Sequence, residues 1–237
     1  MNSFSQIPER PNPPKLYNDL TAGSSFIDGS SAAQLELQLE DFYHQTSNQI
    51  CIVVVDDLKG QDASQFAFDI GNKWAVGSKQ FNNGIVILIK PTGGQGERKL
   101  FIAVGYGLEG AITDLATASI RDNEMMPYLK NGQNYEAMSA AISALEKAAK
   151  GEYNVEVKRK RNLKDNPWSI LIIVIIILIF LFARRGGGGN YGRRGFSGGP
   201  FFGGGFGGFG GGGSSSGGGF GGFGGGSFGG GGSGGSW

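Results

Sequence analysis

The stretch Ile50-Cys-Ile-Val-Val-Val55 decides the fold class of this chain. It is a continuous run of apolar residues, most of them β-branched, and Asp56 and Asp57 end it. A strand with one exposed face would alternate apolar and polar residues, so this run predicts a strand that is covered on both faces. Such a strand needs structure above and below it, which predicts a layered α/β domain.

Two more apolar runs predict two further strands. Residues 85–89 follow the turn signal Asn83-Gly84, and residues 100–104 follow a glycine-rich stretch at 93–96. Short runs joined by turn residues at this spacing are typical of an antiparallel pair. We therefore predict that the second and third strands form a hairpin.

Apolar residues at helical spacing predict helices before, between and after these strands. The predicted helices cover residues 30–47, opened by the hydroxyls of Ser30 and Ser31, 62–74, opened by Asp62, 113–126, ended by Pro127, and 135–150, ended by Gly151. The order αβαββαα predicts a three-layer α/β/α sandwich around a short, mainly apolar sheet at residues 30–153. Residues 1–29, which are rich in proline, are expected to run extended in front of it.

Residues 168–183 form an uncharged run that is dominated by isoleucine. A helix of this composition would be apolar on every face, which is typical of a segment that spans a membrane. Trp168, at its start, is placed to lie at the membrane interface. The run predicts a single transmembrane helix after a basic linker at 154–167. The alternative is a strand or helix that is buried in a protein core.

Residues 184–237 hold most of the 45 glycines of the chain. Glycine adds no side chain to a core and loses the most backbone entropy on folding, so this tail is predicted to be disordered. Phenylalanines recur in it, as in Phe206-Gly-Gly-Phe209 and Phe220-Gly-Gly-Phe223. They are expected to promote weak self-association, the alternative being that the tail is only a flexible end.

Charge does not decide the orientation in the membrane, because lysines and arginines flank the apolar run on both sides. Residues 1–14 contain no apolar core of a signal peptide, but Ser3-Phe4-Ser5 resembles the end of a cleaved one. Taken literally, the missing signal peptide leaves the soluble domain in the cytoplasm. A trimmed precursor would instead place it outside the cytoplasm, in the periplasm, with the tail in the cytoplasm, and the residues alone leave both orientations open. The lipid bilayer is an expected partner.

Composition argues against several functions. The formal net charge of +1 gives no basic surface for nucleic acid. His44 is the only histidine, and the only cysteine, Cys51, lies inside the first apolar run. The sequence therefore shows no nucleophile with a neighbouring base and too few ligands for a zinc site, and no catalytic residue is assigned.

Gly105-Tyr-Gly-Leu-Glu-Gly110 follows the third strand, and Asp114 comes soon after it. The glycines permit a tight exposed turn, so Glu109 and Asp114 are expected to project beside Asn83 at the start of the neighbouring strand. Carboxylate and amide oxygens are the ligands that Ca²⁺ and Mg²⁺ prefer. The sequence thus predicts a divalent-cation site at Asn83, Glu109 and Asp114, supported by a loop that contains Gly84, Gly105, Tyr106, Gly107 and Gly110.

Two other interpretations of this loop were weighed. Asp114 could instead cap the next helix while Glu109 is a solvated charge. The spacing Gly-x-Gly-x-x-Gly also matches dinucleotide-binding loops. However, it lies late in the domain, and no acidic residue follows at the end of a second strand, so no nucleotide cofactor is expected.

Several of these motifs together resemble the TPM domain family. They are the proline-rich lead, Trp74-Ala-Val-Gly-Ser-Lys79, Asn83-Gly84 before a strand, and Gly105-Tyr-Gly-Leu-Glu-Gly-Ala-Ile-Thr-Asp114. The resemblance covers about residues 6–150, and it implies the layout of many bacterial members: a signal peptide, a domain outside the cytoplasm, one membrane helix and a glycine-rich end. The chain departs from the family pattern at Asn82, where Asp is usual, and at Ala103, where an acidic residue is common. Both departures weaken an inherited cation site.

The resemblance implies two functions. Some members of the family are described as acid phosphatases, which implies a metal-assisted hydrolase. The resemblance to photosystem repair factors and to a receptor auxiliary subunit implies an accessory or quality-control module that helps to assemble other membrane proteins. The second function is favoured, because the sequence offers ligands for a cation but no nucleophile.

Overall fold

The computed structural model describes residues 7–155 and 222–237. The strands are β1 (Tyr17–Asp19), β2 (Gln49–Val54), β3 (Gly84–Lys90), β4 (Lys99–Gly105) and β5 (Phe228–Ser236). The helices are α1 (Gly29–Thr46), α2 (Ala63–Trp74), α3 (Asp114–Ser119), α4 (Met126–Lys130) and α5 (Asn134–Ala149), with a 3₁₀ turn at Tyr106–Leu108 and a π-helical segment at Ile120–Met125.

The five strands form one mixed sheet in the order β1-β2-β3-β4-β5. β1, β2 and β3 are parallel, and β3 and β4 are antiparallel, with Ile85 opposite Val104. The predicted hairpin of the second and third strands is confirmed. β5 is antiparallel to β4 and lies at the edge of the sheet.

The sheet has apolar side chains packed on both of its faces. On one face Ile50 and Ile52 of β2 join a cluster with Leu39 of α1 and with α5. On the other face Cys51 and Val53 join a cluster with α2. Alternate residues of β2 therefore enter opposite cores, which is why its sequence is apolar without interruption. The α/β class that this run predicts is confirmed, with helices on both sides of the sheet.

Three local predictions differ from the structure. Asp28, and not Ser30, caps α1, because its carboxylate accepts hydrogen bonds from the backbone N–H groups of Ser30 and Ser31. Pro127 does not end a helix: it lies in the first turn of α4, a position where proline is tolerated, directly after the π-helical segment. The proline-rich lead also contains β1, whose residues hydrogen-bond along β2.

The tail differs most from its prediction. Residues 184–221 lie outside the described part of the chain, but residues 228–236 form β5, so the prediction of disorder is wrong for them. They belong to the same compact unit as the domain. The predicted transmembrane helix at 168–183 also lies outside the described residues. Among the helices that are described, none combines the length and apolar character needed to cross a membrane.

A candidate binding face at the end of the sheet

The glycine loop after β4 is held against the turn that precedes β3. The N–H of Gly107 donates a hydrogen bond of 3.1 Å to the carbonyl oxygen of Asn82. A Cβ atom added to Gly105 would lie 2.4 Å from that oxygen, and one added to Gly107 would lie 1.7 Å from the carbonyl oxygen of Phe81. Both glycines are therefore required by close backbone approach. Gly110 has open space around it.

Two of the three predicted cation ligands converge in one groove beyond this loop. The groove is lined by Tyr106, Glu109, Thr113, Asp114 and Leu115 from the domain and by residues 229–231 from the tail. Asp114 opens α3, but Thr113 caps it, with its hydroxyl accepting from the N–H of Ala116 at 3.2 Å. The Asp114 carboxylate instead accepts a hydrogen bond of 2.7 Å from the N–H of Gly232. The alternative in which Asp114 itself caps α3 is wrong.

Asn83 does not line this groove. Its side chain is buried, at 7% exposed, and bridges two turns. Its Oδ1 accepts from the N–H of Ser78 at 2.9 Å, and its Nδ2 donates to the carbonyl oxygen of Ser47 at 2.6 Å. The amide thus holds the backbone around the start of β3.

Asn82 is the neighbouring residue that faces the tail, which the sequence pattern did not indicate. Its backbone is left-handed, with φ of 48°, and its Oδ1 accepts a hydrogen bond of 3.0 Å from the N–H of Ser227. The signal that could have identified it is the αL preference of asparagine before Asn83-Gly84, which turns the side chain outward at this position.

The donor set suits at most a weak cation site. Ca²⁺ takes about six to eight oxygen ligands, whereas Glu109 and Asp114 supply two carboxylates. Within the described residues no group of three or more acidic, histidine or cysteine side chains is arranged to hold a metal ion. Backbone oxygens and water would have to complete the coordination shell.

Neither candidate nucleophile lies in the groove. Cys51 is fully buried in β2, and burial raises the pKa of its thiol, so the reactive thiolate is suppressed. His44 lies exposed on α1, with its ring 5.6 Å from the ring of Tyr43. These positions agree with the sequence interpretation of both residues.

Exposed apolar side chains surround the same end of the sheet. Tyr106 and Leu115 line the groove and are 54% and 57% exposed. Phe81, 60% exposed, belongs to the turn that packs against Gly107. Large apolar side chains gathered at one place on a surface mark interaction sites more often than scattered ones do. Together with Glu109 and Asp114, these residues make the partner face, a name used below for this set of five.

A model of the TPM domain matches residues 20–148, more than half of the chain. The chain belongs to the TPM domain family. The match contains the glycine loop, the partner face and every helix and strand from α1 to β4. It stops before the tail, so β5 is an addition to the matched part of this TPM domain.

Two solved structures are similar to the chain. One is the N-terminal domain of a protein from P. gingivalis, with 20% identity and a TM-score of 0.49 over 59% of this chain and 84% of that one. The other is the N-terminal domain of a protein from Corynebacterium glutamicum, with 13% identity and a TM-score of 0.42 over 65% and 87%. No curated protein matches the chain.

Proposed function

We propose that this TPM domain is an accessory module that binds other membrane proteins during their assembly or quality control, and that residues 168–183 hold it at the membrane. The observation that carries the proposal is the partner face, where exposed Phe81, Tyr106 and Leu115 lie beside two carboxylates. Aromatic and aliphatic side chains flanked by charge are the usual composition of a protein-binding surface.

Site-specific photo-crosslinking in intact cells tests this function. A photoreactive phenylalanine analogue at position 115 is expected to give crosslinks to integral membrane proteins. The same analogue at position 37 is the control, because Leu37 is an equally exposed leucine, at 61%, but lies on α1. Equal crosslinking at the two positions, or none at position 115, would contradict the proposal.

A weak divalent-cation site is part of the same proposal. Glu109 and Asp114 would bind Ca²⁺ or Mg²⁺ with an affinity on the order of millimolar, since two carboxylates are few for such ions. A bound cation would neutralise the acidic part of the partner face and so change which protein surfaces it attracts.

The alternative function is a metal-assisted acid phosphatase. It makes a different demand on the groove, because a hydrolase needs a placed nucleophile or water beside the cation. Turnover of a generic phosphomonoester that disappeared in Asp114→Asn and survived in Leu115→Ala would favour the phosphatase over the binding module.

A further inference from the structure

The edge of β4 is covered by a strand that comes from the far end of the chain. Seven residue pairs join the two strands, from Lys99 opposite Ser236 to Gly105 opposite Phe228, with a bulge near Val104. An extended segment that adds itself to a free sheet edge is a common mode of peptide recognition, in which main-chain hydrogen bonds give affinity and side-chain pockets give specificity.

One side-chain pocket is a socket for Phe228. The phenyl ring lies where Gly71 of α2 and Gly84 of β3 have no side chain, and a Cβ added to them would stand 2.6 Å and 2.9 Å from ring atoms. At Gly84 the backbone oxygen of Val76 would be nearer still, at 2.4 Å. Asn72 holds the backbone of the same residue. Its Oδ1 accepts from the N–H of Phe228 at 3.0 Å, and its Nδ2 donates to the carbonyl oxygen at 3.4 Å.

Gly71 has little other reason to be glycine. It lies inside a twelve-residue helix, where glycine costs roughly 0.5–1 kcal/mol relative to alanine. The three nearest atoms to an added Cβ all belong to the Phe228 ring. Glycine at this position therefore makes the helix less stable and leaves room for the Phe228 ring.

The strand is glycine at positions where another side chain would meet a neighbour or where the backbone has a positive φ. A Cβ on Gly229 would lie 1.5 Å from the Tyr106 hydroxyl oxygen, and one on Gly231 would lie 2.7 Å from a Glu109 carboxylate oxygen. Gly232 has φ of 142°, which other residues rarely adopt. At the far end Trp237 is buried, its carbonyl oxygen accepts from the N–H of Gly96 at 2.8 Å, and Arg98 lies 6.0 Å from its ring.

These requirements select one register among the repeats of the tail. If the tail shifted so that Phe220 occupied the socket, Phe223 would take the position of Gly231, against Glu109. If Phe206 occupied the socket, Phe209 would take that position. With Phe223 in the socket, Ser227 would take the position of Gly232 and its positive φ. With Phe209 there, Ser215 would replace Gly234, where a Cβ meets the Phe101 ring at 2.7 Å. Of these five phenylalanines, only Phe228 meets every requirement.

We propose that the β4 edge and the socket at Gly71, Asn72 and Gly84 form a binding site for an extended phenylalanine–glycine strand, with residues 222–237 of the same chain as its ligand. The docked strand lines the groove through residues 229–231 and engages Asp114 through Gly232. Its release therefore exposes Tyr106, Glu109 and Asp114 of the partner face further. The idea that release of the strand controls partner binding, called gating below, rests on the function proposed above, whereas the strand-binding site does not.

The ligand is the chain's own tail because the contacts are complementary from both sides. Glycines in the domain accommodate the tail phenylalanine, and glycines in the tail accommodate Tyr106 and Glu109 of the domain. Covalent connection through residues 156–221 also raises the effective concentration of the tail above that of a strand from another molecule.

A disulfide trap on the full chain tests the site. Lys99 and Ser236 lie directly opposite each other, and Cβ atoms in such pairs are about 4.5–5.5 Å apart, close to the reach of a disulfide. Mild oxidation of the Lys99→Cys, Ser236→Cys variant is expected to give a monomer crosslinked within one chain. The native Cys51 does not interfere, because it is buried.

Two variants then remove the socket contact from either side. Gly71→Ala fills the socket, and Phe228→Ala removes the ring while leaving the domain unchanged. Each is expected to slow crosslinking about tenfold or more, the effect of losing one buried aromatic contact. Gly29→Ala is the matched control, since Gly29 is also helical and an added Cβ there meets nothing within 4 Å.

The outcomes separate the two proposals. Crosslinking that is absent, or unchanged by both socket variants, overturns the binding site, and crosslinked dimers would make the ligand the tail of a second copy. If the disulfide forms as expected, gating predicts that Gly71→Ala, which releases the strand, raises photo-crosslinking to membrane proteins at position 115. If position 115 captures no membrane protein in any variant while the trap behaves as expected, the proposed function fails and the strand-binding site stands.

Discussion

Asn83 illustrates how a single side chain can be assigned the right place and the wrong role. The sequence pattern puts it beside the glycine loop, and the structure does so too, but its amide already bonds to Ser78 and Ser47. A buried amide with both ends occupied stabilises the fold and has no free oxygen for a cation. We therefore assign it to the turn, and the cation proposal keeps only Glu109 and Asp114.

Replacement of this residue separates the two roles. Asn83→Ala is expected to lower the free energy of unfolding by about 1–3 kcal/mol, because the hydrogen bonds to Ser78 and Ser47 are both lost and each contributes roughly 0.5–1.5 kcal/mol. Urea denaturation of the full chain measures the change, with Asn48→Ala as a control in the same region. In a calcium titration followed by NMR, the resonances of Glu109 and Asp114 are expected to move and the side-chain amide of Asn83 to stay. A stable Asn83→Ala variant that no longer responds to calcium would contradict this assignment.

Helix α1 depends on a charge at the residue that caps its amino end, Asp28. The hydroxyls and N–H groups of Ser30 and Ser31 donate to the Asp28 carboxylate and hold the pKa of that carboxyl well below its usual range. Because the folded pKa is depressed, the stabilisation is fully present above the unfolded pKa of about 3.9 and is lost as pH falls through the folded value.

The pH dependence of thermal unfolding tests this cap. Asp28→Ala is expected to lower the melting temperature at pH 7 and to flatten its decline under acid. Asp28→Asn keeps a side-chain oxygen that caps equally well but does not titrate. Its melting temperature at pH 7 is therefore expected to stay closer to that of the parent protein. Its melting temperature should also fall less steeply at low pH, as in Asp28→Ala. If the melting temperature of both variants fell as steeply at low pH as that of the parent protein, another group would be responsible for the pH dependence.

The elements that could be predicted from the sequence are those with a periodic apolar pattern. β2, β3 and β4 were recognisable as continuous runs, and α1, α2 and α5 by helical spacing. β5 could not be recognised, since a glycine run has neither alternation nor β-propensity, and it becomes a strand only because the β4 edge and the socket are already formed. β1 is only three residues long, too short for a pattern.

The same limit explains how much of the site was predictable. The glycine spacing predicted that Glu109 and Asp114 project at the same end of the sheet, because it dictates where the chain must turn, and both line the groove. Which neighbouring side chain faces the tail depends on backbone handedness at Asn82, and that is set by the turn as a whole. The contribution of the tail depends on contacts between residues more than a hundred positions apart, as between Asp114 and Gly232.

At the scale of the whole molecule, the pairing of β4 with β5 constrains the membrane arrangement that we propose. β4 and β5 can pair in one chain only when the domain and the last residues of the tail are in the same compartment. A single crossing at residues 168–183, with the domain in the periplasm and the tail in the cytoplasm, would separate them and leave the β4 edge free. The pairing therefore predicts that both lie on the same side.

Cysteine labelling decides between these arrangements. Leu37 and Ser236 are both exposed, one on α1 and one at the end of β5, while Cys51 is buried and its thiol pKa is raised by burial. Leu37→Cys and Ser236→Cys, made separately in the full chain, are expected to react alike with a membrane-impermeant maleimide on intact cells: both labelled or both protected. Lysed cells provide the control in which both react. If one position is labelled and the other protected in intact cells, the two strands are separated by the bilayer, and the edge of β4 is open to a strand from another protein.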